Sequence, residues 1–445
     1  MTPLDRREFI AGTAGVAAAV AGLPGRSWAK TNDGKVRLGF IGVGGRGTHL
    51  LELALRRSDT VVNAVCDISE DALSRATDLV REHSGVQTAA YGDGDEAFLQ
   101  LVARDDLDAV VIATPWRWHT TMAVAAMRNG KAAGVEVPAA VTLQECWDLV
   151  NTSEETGMAC MLMENVCYRR DVMAVFNMVK QGMFGELMHM HCGYQHDLRN
   201  IKFQPGVEFG PGARGEAVWR TQHSIKRNGD VYPTHGVGPV AKALDINAGN
   251  RFVSLTSHAT KTRGLHNYIV EHGGEDHPNA DITFALGDIV TTVIQCANGE
   301  TVLVSHDTNL PRPYSLNFRV QGTKGIWMDD NRSIYLEGVS PEAHRWEPFA
   351  PYQEQYDHPL WKRYSADSQG AGHGGMDFFV VNAFIESVKR GVAPPVDVYD
   401  AAAWSAISAL SEQSISMGNH PVQFPDFTRG KWVTAEPTFG ASDEF

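Results

Sequence analysis

Val36-Arg37-Leu38-Gly39-Phe40-Ile41-Gly42-Val43-Gly44-Gly45-Arg46-Gly47 is the stretch that decides the fold. The apolar run 36–41 reads as a buried strand. Gly42, Gly44 and Gly47 then form a G-x-G-x-x-G ahead of a helix-like stretch at 49–57. Glycines there allow a tight turn and let a pyrophosphate approach the helix N-terminus, where free N–H groups and the helix dipole favour anions. A second apolar run, 61–66, ends in Asp67, 20 residues past Gly47. A carboxylate at that distance accepts hydrogen bonds from an adenosine ribose. The segment therefore reads as a dinucleotide site. The acid argues for NAD over NADP, while Arg46 keeps NADP open. A plain Gly-rich turn would leave Asp67 a coincidence.

Outward from this unit, strand-like runs at 36–41, 61–66, 109–113, 132–137 and 158–163 alternate with helical patterns such as 96–104, 121–129 and 143–156. That alternation predicts a doubly wound parallel sheet with ligands at the carboxyl ends of its strands. After Asn165 the pattern changes. A helix at 171–182 leads into longer strands at 187–194, 252–259, 288–296, 301–306, 316–322 and 325–329, with Asn298-Gly299 as one of the turns. The Gly/Pro-rich stretch 204–215 reads as a long loop, and helices follow at 376–390 and 401–417. The expected fold class is α/β: an N-terminal Rossmann sheet over 35–164, then an α+β domain over 165–445 with a mostly antiparallel open sheet. The last helices are candidates to pack back on the first domain, and the open sheet face is a candidate for pairing with a second copy.

The first 29 residues read as a leader. Arg6-Arg7 precede an apolar stretch, 9–23, and Ser27-Trp28-Ala29 is a small-x-small cleavage site. This is the pattern of a twin-arginine export signal, with an uncleaved anchor as the alternative. No other run is long and apolar enough to span a bilayer. With 445 residues the chain has room for two domains, and its net charge of −14 argues against nucleic acid and anionic membranes as partners. The six cysteines show neither C-x-x-C nor zinc spacing and read as buried free thiols, so no metal site is expected. Twin-arginine export carries folded proteins. A cofactor loaded before export cannot be resupplied afterwards. It should be held tightly and should end each turnover in its starting state.

Several segments carry polar residues where ligands are expected. Thr114-Pro115-Trp116-Arg117-Trp118-His119 follows the run 109–113, and a polar role beside a cofactor suits His119. Gly134-Val135-Glu136-Val137-Pro138 places an acid in apolar surroundings, either as a helix cap or as an acceptor for a ribose hydroxyl. Asn165 stands at the domain junction. Asp230-Val231-Tyr232-Pro233-Thr234-His235-Gly236 sets a phenol and an imidazole three residues apart, and either is a candidate general base. Tyr194, Arg220 and Tyr314 are residue types common at sugar sites. In Gly370-Ala371-Gly372-His373-Gly374-Gly375-Met376-Asp377, Asp377 reads as a helix cap and His373 as a side chain able to reach the cleft.

The fingerprint, Thr114-Pro115 with His119, and Glu136 resemble the glucose–fructose oxidoreductase/inositol dehydrogenase superfamily (Gfo/Idh/MocA). More narrowly, the chain resembles glycoside hydrolase family 109, the NAD-dependent α-N-acetylgalactosaminidases. The matching strings are 115–119, Glu164-Asn165-Val166-Cys167-Tyr168-Arg169-Arg170-Asp171, Gly193-Tyr194-Gln195-His196-Asp197-Leu198-Arg199, Tyr232-Pro233-Thr234-His235-Gly236-Val237-Gly238-Pro239 and His306-Asp307-Thr308. The resemblance implies NAD contacts from Gly45, Arg46, Asp67, Trp116, Arg117, Trp118, His119, Glu136, Val137, Asn165, Tyr232, Pro233, Thr234 and His235. It implies substrate contacts from Tyr194, Arg220, Tyr232 and Tyr314, with His235 where the acid/base sits. The wider superfamily's dehydrogenases usually carry Glu-Lys-Pro where this chain has Glu136-Val137-Pro138. Val137 cannot move a proton, which counts against a plain sugar dehydrogenase. No carboxylate pair of the ordinary glycosidase kind is evident. A redox route explains why a hydrolase would need a dinucleotide: oxidation at sugar C3, loss of the C2 proton, expulsion of the C1 substituent, water addition and re-reduction. Net retention is implied by the family. An exported sugar oxidoreductase with tightly bound NAD(P) is the alternative.

Overall fold

The computed structural model describes residues 33–85, 87–203 and 215–445. The leader read at 1–29 and nearly all of the loop read at 204–215 lie outside these residues. The first unit is a six-stranded sheet of β1 (Val36–Ile41), β2 (Thr60–Cys66), β3 (Ala89–Tyr91), β4 (Ala109–Ile112), β5 (Ala132–Val135) and β6 (Cys160–Leu162), ordered β3-β2-β1-β4-β5-β6. Every neighbouring pair is parallel. β4, β5 and β6 are buried at every position, as strands covered on both faces must be. The strand order reverses between β1 and β4, so a crevice opens at their carboxyl ends. The glycine turn and the Thr114–His119 loop leave the sheet there.

The second unit is a nine-stranded sheet of β7 (Leu187–Gln195), β8 (Phe252–Ala259), β9 (Ile289–Cys296), β10 (Thr301–Asp307), β11 (Arg319–Gly322), β12 (Gly325–Met328), β13 (Ser333–Leu336), β14 (Glu347–Pro348) and β15 (Val422–Gln423). Its order is β14-β13-β12-β11-β7-β10-β9-β8-β15. All pairs are antiparallel except the central β7–β10 pair. Burial alternates along β9, so one face carries the core. The helix Thr234–Ala243 lies on β7 at very close range: a Cβ on Gly236 would stand 2.5 Å from the Gly193 nitrogen. Only glycine permits that approach, and it fixes where His235 points.

The helix Val398–Ser416 packs on β8, on β6 and on the helix Leu143–Thr156, so it joins the two units. Its alanines, Ala401, Ala402, Ala403 and Ala406, are fully or almost fully buried and let those neighbours come close. The helix Met376–Arg390 packs on the glycine-turn helix Gly45–Leu55. All six cysteines are buried free thiols. Among the described residues no helix is long and apolar enough to cross a membrane, and no cluster of metal-ligating side chains occurs.

Candidate active site

A cleft of 1450 Å³ runs from the glycine turn to the helix Thr234–Ala243. At one end Gly42 has φ +80°, and a side chain there would meet the Ala113 carbonyl at 2.6 Å. A Cβ on Gly47 would stand 1.8 Å from the Gly42 carbonyl oxygen, so Gly47 lets the helix Gly45–Leu55 close onto the turn from behind the wall. Gly44 and Gly45 face open space. The helix starts without a side-chain cap, leaving its first N–H groups for an anion. Asp67 is fixed at the end of β2: the Val43 N–H donates to its Oδ2 and the Ser69 N–H to its Oδ1, both at 2.8 Å. These features fit a dinucleotide: room above the turn, unpaired helix donors and a carboxylate for the ribose.

Arg46 is held by two carboxylates. Its Nε donates to Glu136 Oε1 at 2.7 Å, and its Nη1 pairs with Asp377 Oδ2 at 2.9 Å. A guanidinium already matched by two carboxylates is poorly placed for a 2′-phosphate, which favours NAD. Trp116 is buried and stacks on Tyr232 with ring centroids 5.0 Å apart, while the Arg117 guanidinium lies 5.3 Å over the Trp118 ring. His119 is buried, with Nδ1 at 2.8 Å from the Pro138 carbonyl and Nε2 at 2.6 Å from the Thr114 carbonyl. It braces two loops of the wall, and burial pushes its pKa down. Val137 is buried on the wall. Asn165 Nδ2 donates to Asp377 Oδ1 at 2.7 Å, while its own Oδ1 is buried without a partner.

The other end holds a carboxylate, an imidazole and a phenol in line. Glu164 is fully buried, and its Oε1 takes the Val166 N–H at 3.0 Å and lies 2.7 Å from His235 Nδ1. The carboxylate dictates that Nδ1 carries the proton and donates, leaving Nε2 as the basic nitrogen, 3.3 Å from the Tyr232 hydroxyl. Burial pushes the Tyr232 phenol well above its ordinary pKa, so at neutral pH it is a donor and not a base. Pro233 and Thr234 stand behind the wall and begin the helix that presents His235.

Tyr194 packs edge-on to Tyr232 at 4.7 Å, and its hydroxyl is 3.1 Å from His196 Nδ1. The Arg220 guanidinium lies 4.8 Å over Trp116 and 5.3 Å over Tyr232, with its Nε donating to Glu216 at 2.7 Å. Tyr314 differs: it is 51% exposed and sits outside the cleft wall, against His196 at 4.9 Å.

Two residues gain a part that the sequence reading missed. Glu164 follows the apolar run of β6 much as Glu136 follows β5, and that cue, an acid ending a buried strand, would have found it. Asp377 is a correction. The helix Met376–Arg390 has no side-chain cap, and the Asp377 carboxylate turns to Arg46, Asn165, His49 and His373. Burial alone would raise its pKa, but hydrogen bonds from His373 and His49 and the Arg46 charge hold it far below the usual carboxylate range. His373 does reach the cleft.

Asp230, beside Tyr232, is fully buried, with one oxygen taking the Tyr232 N–H at 3.1 Å and the other unpartnered. Burial pushes its pKa up to about 7. Between the unfolded value, near 4, and about 7 the folded state binds the extra proton, so stability falls as pH rises through that window. Asp230→Asn is therefore expected to melt higher than the parent at pH 8, by about 2 °C or more, with the gap closing by pH 4. Thermal melts across that range check it.

The fold and this wall define an NAD-binding Rossmann enzyme with a second, mostly antiparallel lobe. Residues 36–164 match the family model "Oxidoreductase family, NAD-binding Rossmann fold", and residues 168–434 match "Glycosyl hydrolase 109, C-terminal domain". The chain belongs to glycosyl hydrolase family 109 and is a glycoside hydrolase. It is 51% identical to a glycosyl hydrolase family 109 protein of Stenotrophomonas maltophilia (strain K279a), over 100% of both chains. It is also 51% identical to an alpha-N-acetylgalactosaminidase of Tannerella forsythia, covering 92% of this chain and 89% of that one. Among solved structures, levoglucosan dehydrogenase in complex with NADH and levoglucosan shares the fold, with TM-score 0.65 and 18% identity over 88% of this chain and 100% of that one.

Proposed function

We propose that the protein hydrolyses terminal α-N-acetylgalactosaminides with net retention, using His235 as the base that works on the sugar C2 proton. The observation that carries this reading is the Glu164–His235–Tyr232 line at the sugar end of an NAD-binding cleft. The three glutamates on the wall support it by their pairing. Glu136, Glu216 and Glu412 each pair with an arginine and so are poor candidates for an acid/nucleophile couple. The Tannerella forsythia relative supplies the sugar class.

NAD, when bound, would supply a hydride acceptor and donor for sugar C3, with the C3 hydroxyl proton passing to and from water in the cleft. A C3 ketone acidifies the C2 hydrogen. His235 Nε2 takes that proton, and Glu164 stabilises the imidazolium through Nδ1–H. The electron pair left at C2 expels the C1 substituent. Tyr232, kept protonated by burial, donates a hydrogen bond into the same space. One water gives a proton to the departing oxygen and its hydroxyl to C1 while His235 protonates C2, which leaves the C3 ketone to be reduced. Val137 carries no titratable group, so in either reading the C3 hydroxyl proton leaves by another route than a side chain at that position.

The purified protein is expected to release p-nitrophenol from its α-N-acetylgalactosaminide without added NAD. Failure on every aryl glycoside, with ketose or lactone formed from free sugars, would overturn the reading. Glu164→Gln is expected to lower kcat by about 10²-fold with little change in KM, because the imidazole loses the charge that orients it and stabilises its protonated form. Steady-state kinetics on the same glycoside check this. Export is part of the proposal and rests on Arg6-Arg7 and the run 9–23. Mass spectrometry of the protein recovered outside the cytoplasm should find a mature N-terminus just past Ala29.

A further inference from the structure

The glycine-rich segment 366–375, more than 300 residues beyond the glycine turn, lies against it. Its backbone is built for that path. Gly370, Gly372, Gly374 and Gly375 have φ between +69° and +99°, and His373, a residue with a side chain, is held at φ +43°. A Cβ on Gly372 would meet His49 Nε2 at 2.3 Å and Asp377 Oδ2 at 2.8 Å, so the segment is pressed onto both side chains. His49, on the glycine-turn helix, has its Nε2 3.0 Å from the Ala371 carbonyl and 3.0 Å from Asp377 Oδ2.

Asp377 gathers the whole assembly. Its Oδ2 takes His373 Nδ1 at 2.7 Å, His49 Nε2 at 3.0 Å and Arg46 Nη1 at 2.9 Å, and its Oδ1 takes Asn165 Nδ2. Arg46, His49, Asn165 and His373 all line the cleft. The His373 side chain is 60% exposed, with Nδ1 tied to Asp377, so Nε2 remains for a ligand. The Asn165 Oδ1, buried and unpartnered on the same wall, is an independent sign that a ligand donor belongs there.

We propose that segment 366–375 is a strap that retains the dinucleotide, with His373 as a direct contact and Asp377 as the positioning residue that ties strap, glycine turn and Asn165 together. The proposal rests on the NAD-dependent reading above and deepens it, since an exported enzyme that cannot reload its cofactor needs a reason for slow release. His373 and Arg46, at the start of the glycine-turn helix, meet on the same Asp377 oxygen. Opening the strap requires breaking the His373–Asp377 pair and the contact between His49 and the Ala371 carbonyl.

The test measures exchange of bound nucleotide against isotopically labelled NAD⁺ in the purified full-length protein, with nucleotide per chain counted after heat release. The parent should hold its nucleotide and exchange slowly. His373→Ala and Asp377→Asn should each exchange about tenfold or more faster, as loss of a charge-assisted hydrogen bond implies. Nucleotide-free melts of parent and variants, run beside the exchange, show whether each variant keeps its fold. A His373→Ala protein that exchanges at the parent's rate overturns the strap and leaves the NAD-dependent reading intact. A parent that neither carries nor takes up nucleotide overturns that reading, and the strap with it.

Discussion

His235→Ala is expected to cut kcat on aryl α-N-acetylgalactosaminides by a factor on the order of 10²–10⁴ while the nucleotide carried per chain stays at the parent's level. The two halves of that result have separate causes. His235 Nε2 is the nitrogen left basic by the Glu164 contact, and the neighbouring phenol, raised by burial, cannot take over at neutral pH. The dinucleotide features lie elsewhere, at Gly42, Gly47, Asp67 and the uncapped helix. Tyr232→Phe should cost less, since it removes a donor and keeps the ring that stacks on Trp116. Kinetics paired with nucleotide counting separate these outcomes. Near-parent turnover by the alanine variant would remove His235 from the chemistry.

The second large effect is expected at Gly47. In Gly47→Val the Cβ would fall 1.8 Å from the Gly42 carbonyl oxygen, inside any van der Waals contact, and the obstacle is backbone that cannot swing aside. The helix Gly45–Leu55 must then lift off the turn, and its N–H groups leave the cleft. Nucleotide content should fall to background and glycoside cleavage should go with it. Gly44→Ala is the matched control. Nothing lies within 4 Å of its Cβ, so the protein should fold normally and lose only affinity for the dinucleotide. Nucleotide counting and thermal melts of the two variants, side by side, check the contrast.

How far these features were legible follows from how local their causes are. The run 36–41 is strand β1 to the residue, and the helix predicted at 143–156 matches because its signals are local: a capping box at Thr142 and Glu145, and Gly157 at φ +70° closing it. The helix at 376–390 likewise ends at left-handed Gly391. Strand β3, three residues long, and the two-residue edge strands β14 and β15 carry too little pattern to read and exist by pairing with their neighbours. The helix Ala217–Lys226, which carries Arg220, was hidden behind the Gly/Pro-rich stretch.

In the site, residues that touch the cleft through their own local segment were readable: Asp67 after β2, Tyr232 and His235 before their helix, Trp116 after β4. Roles that depend on a distant partner were not. Asp377 looked like a cap because its four partners come from the glycine-turn helix, from Asn165 and from the adjacent strap. The role of Glu164 has no local sign, because only the fold brings it to His235, 71 positions away. His119 is polar for a structural reason, with both ring nitrogens held by carbonyls.

The central claim is that the glycosidic bond breaks after the sugar has become a carbon acid at C2, with His235 moving that proton. Hydrolysis in D₂O tests it most directly. The released sugar, with exchangeable hydroxyls washed back to protium, is predicted to carry carbon-bound deuterium at C2, because the His235 imidazolium exchanges its proton with solvent before it protonates C2. A product with only protium at C2 would contradict the account.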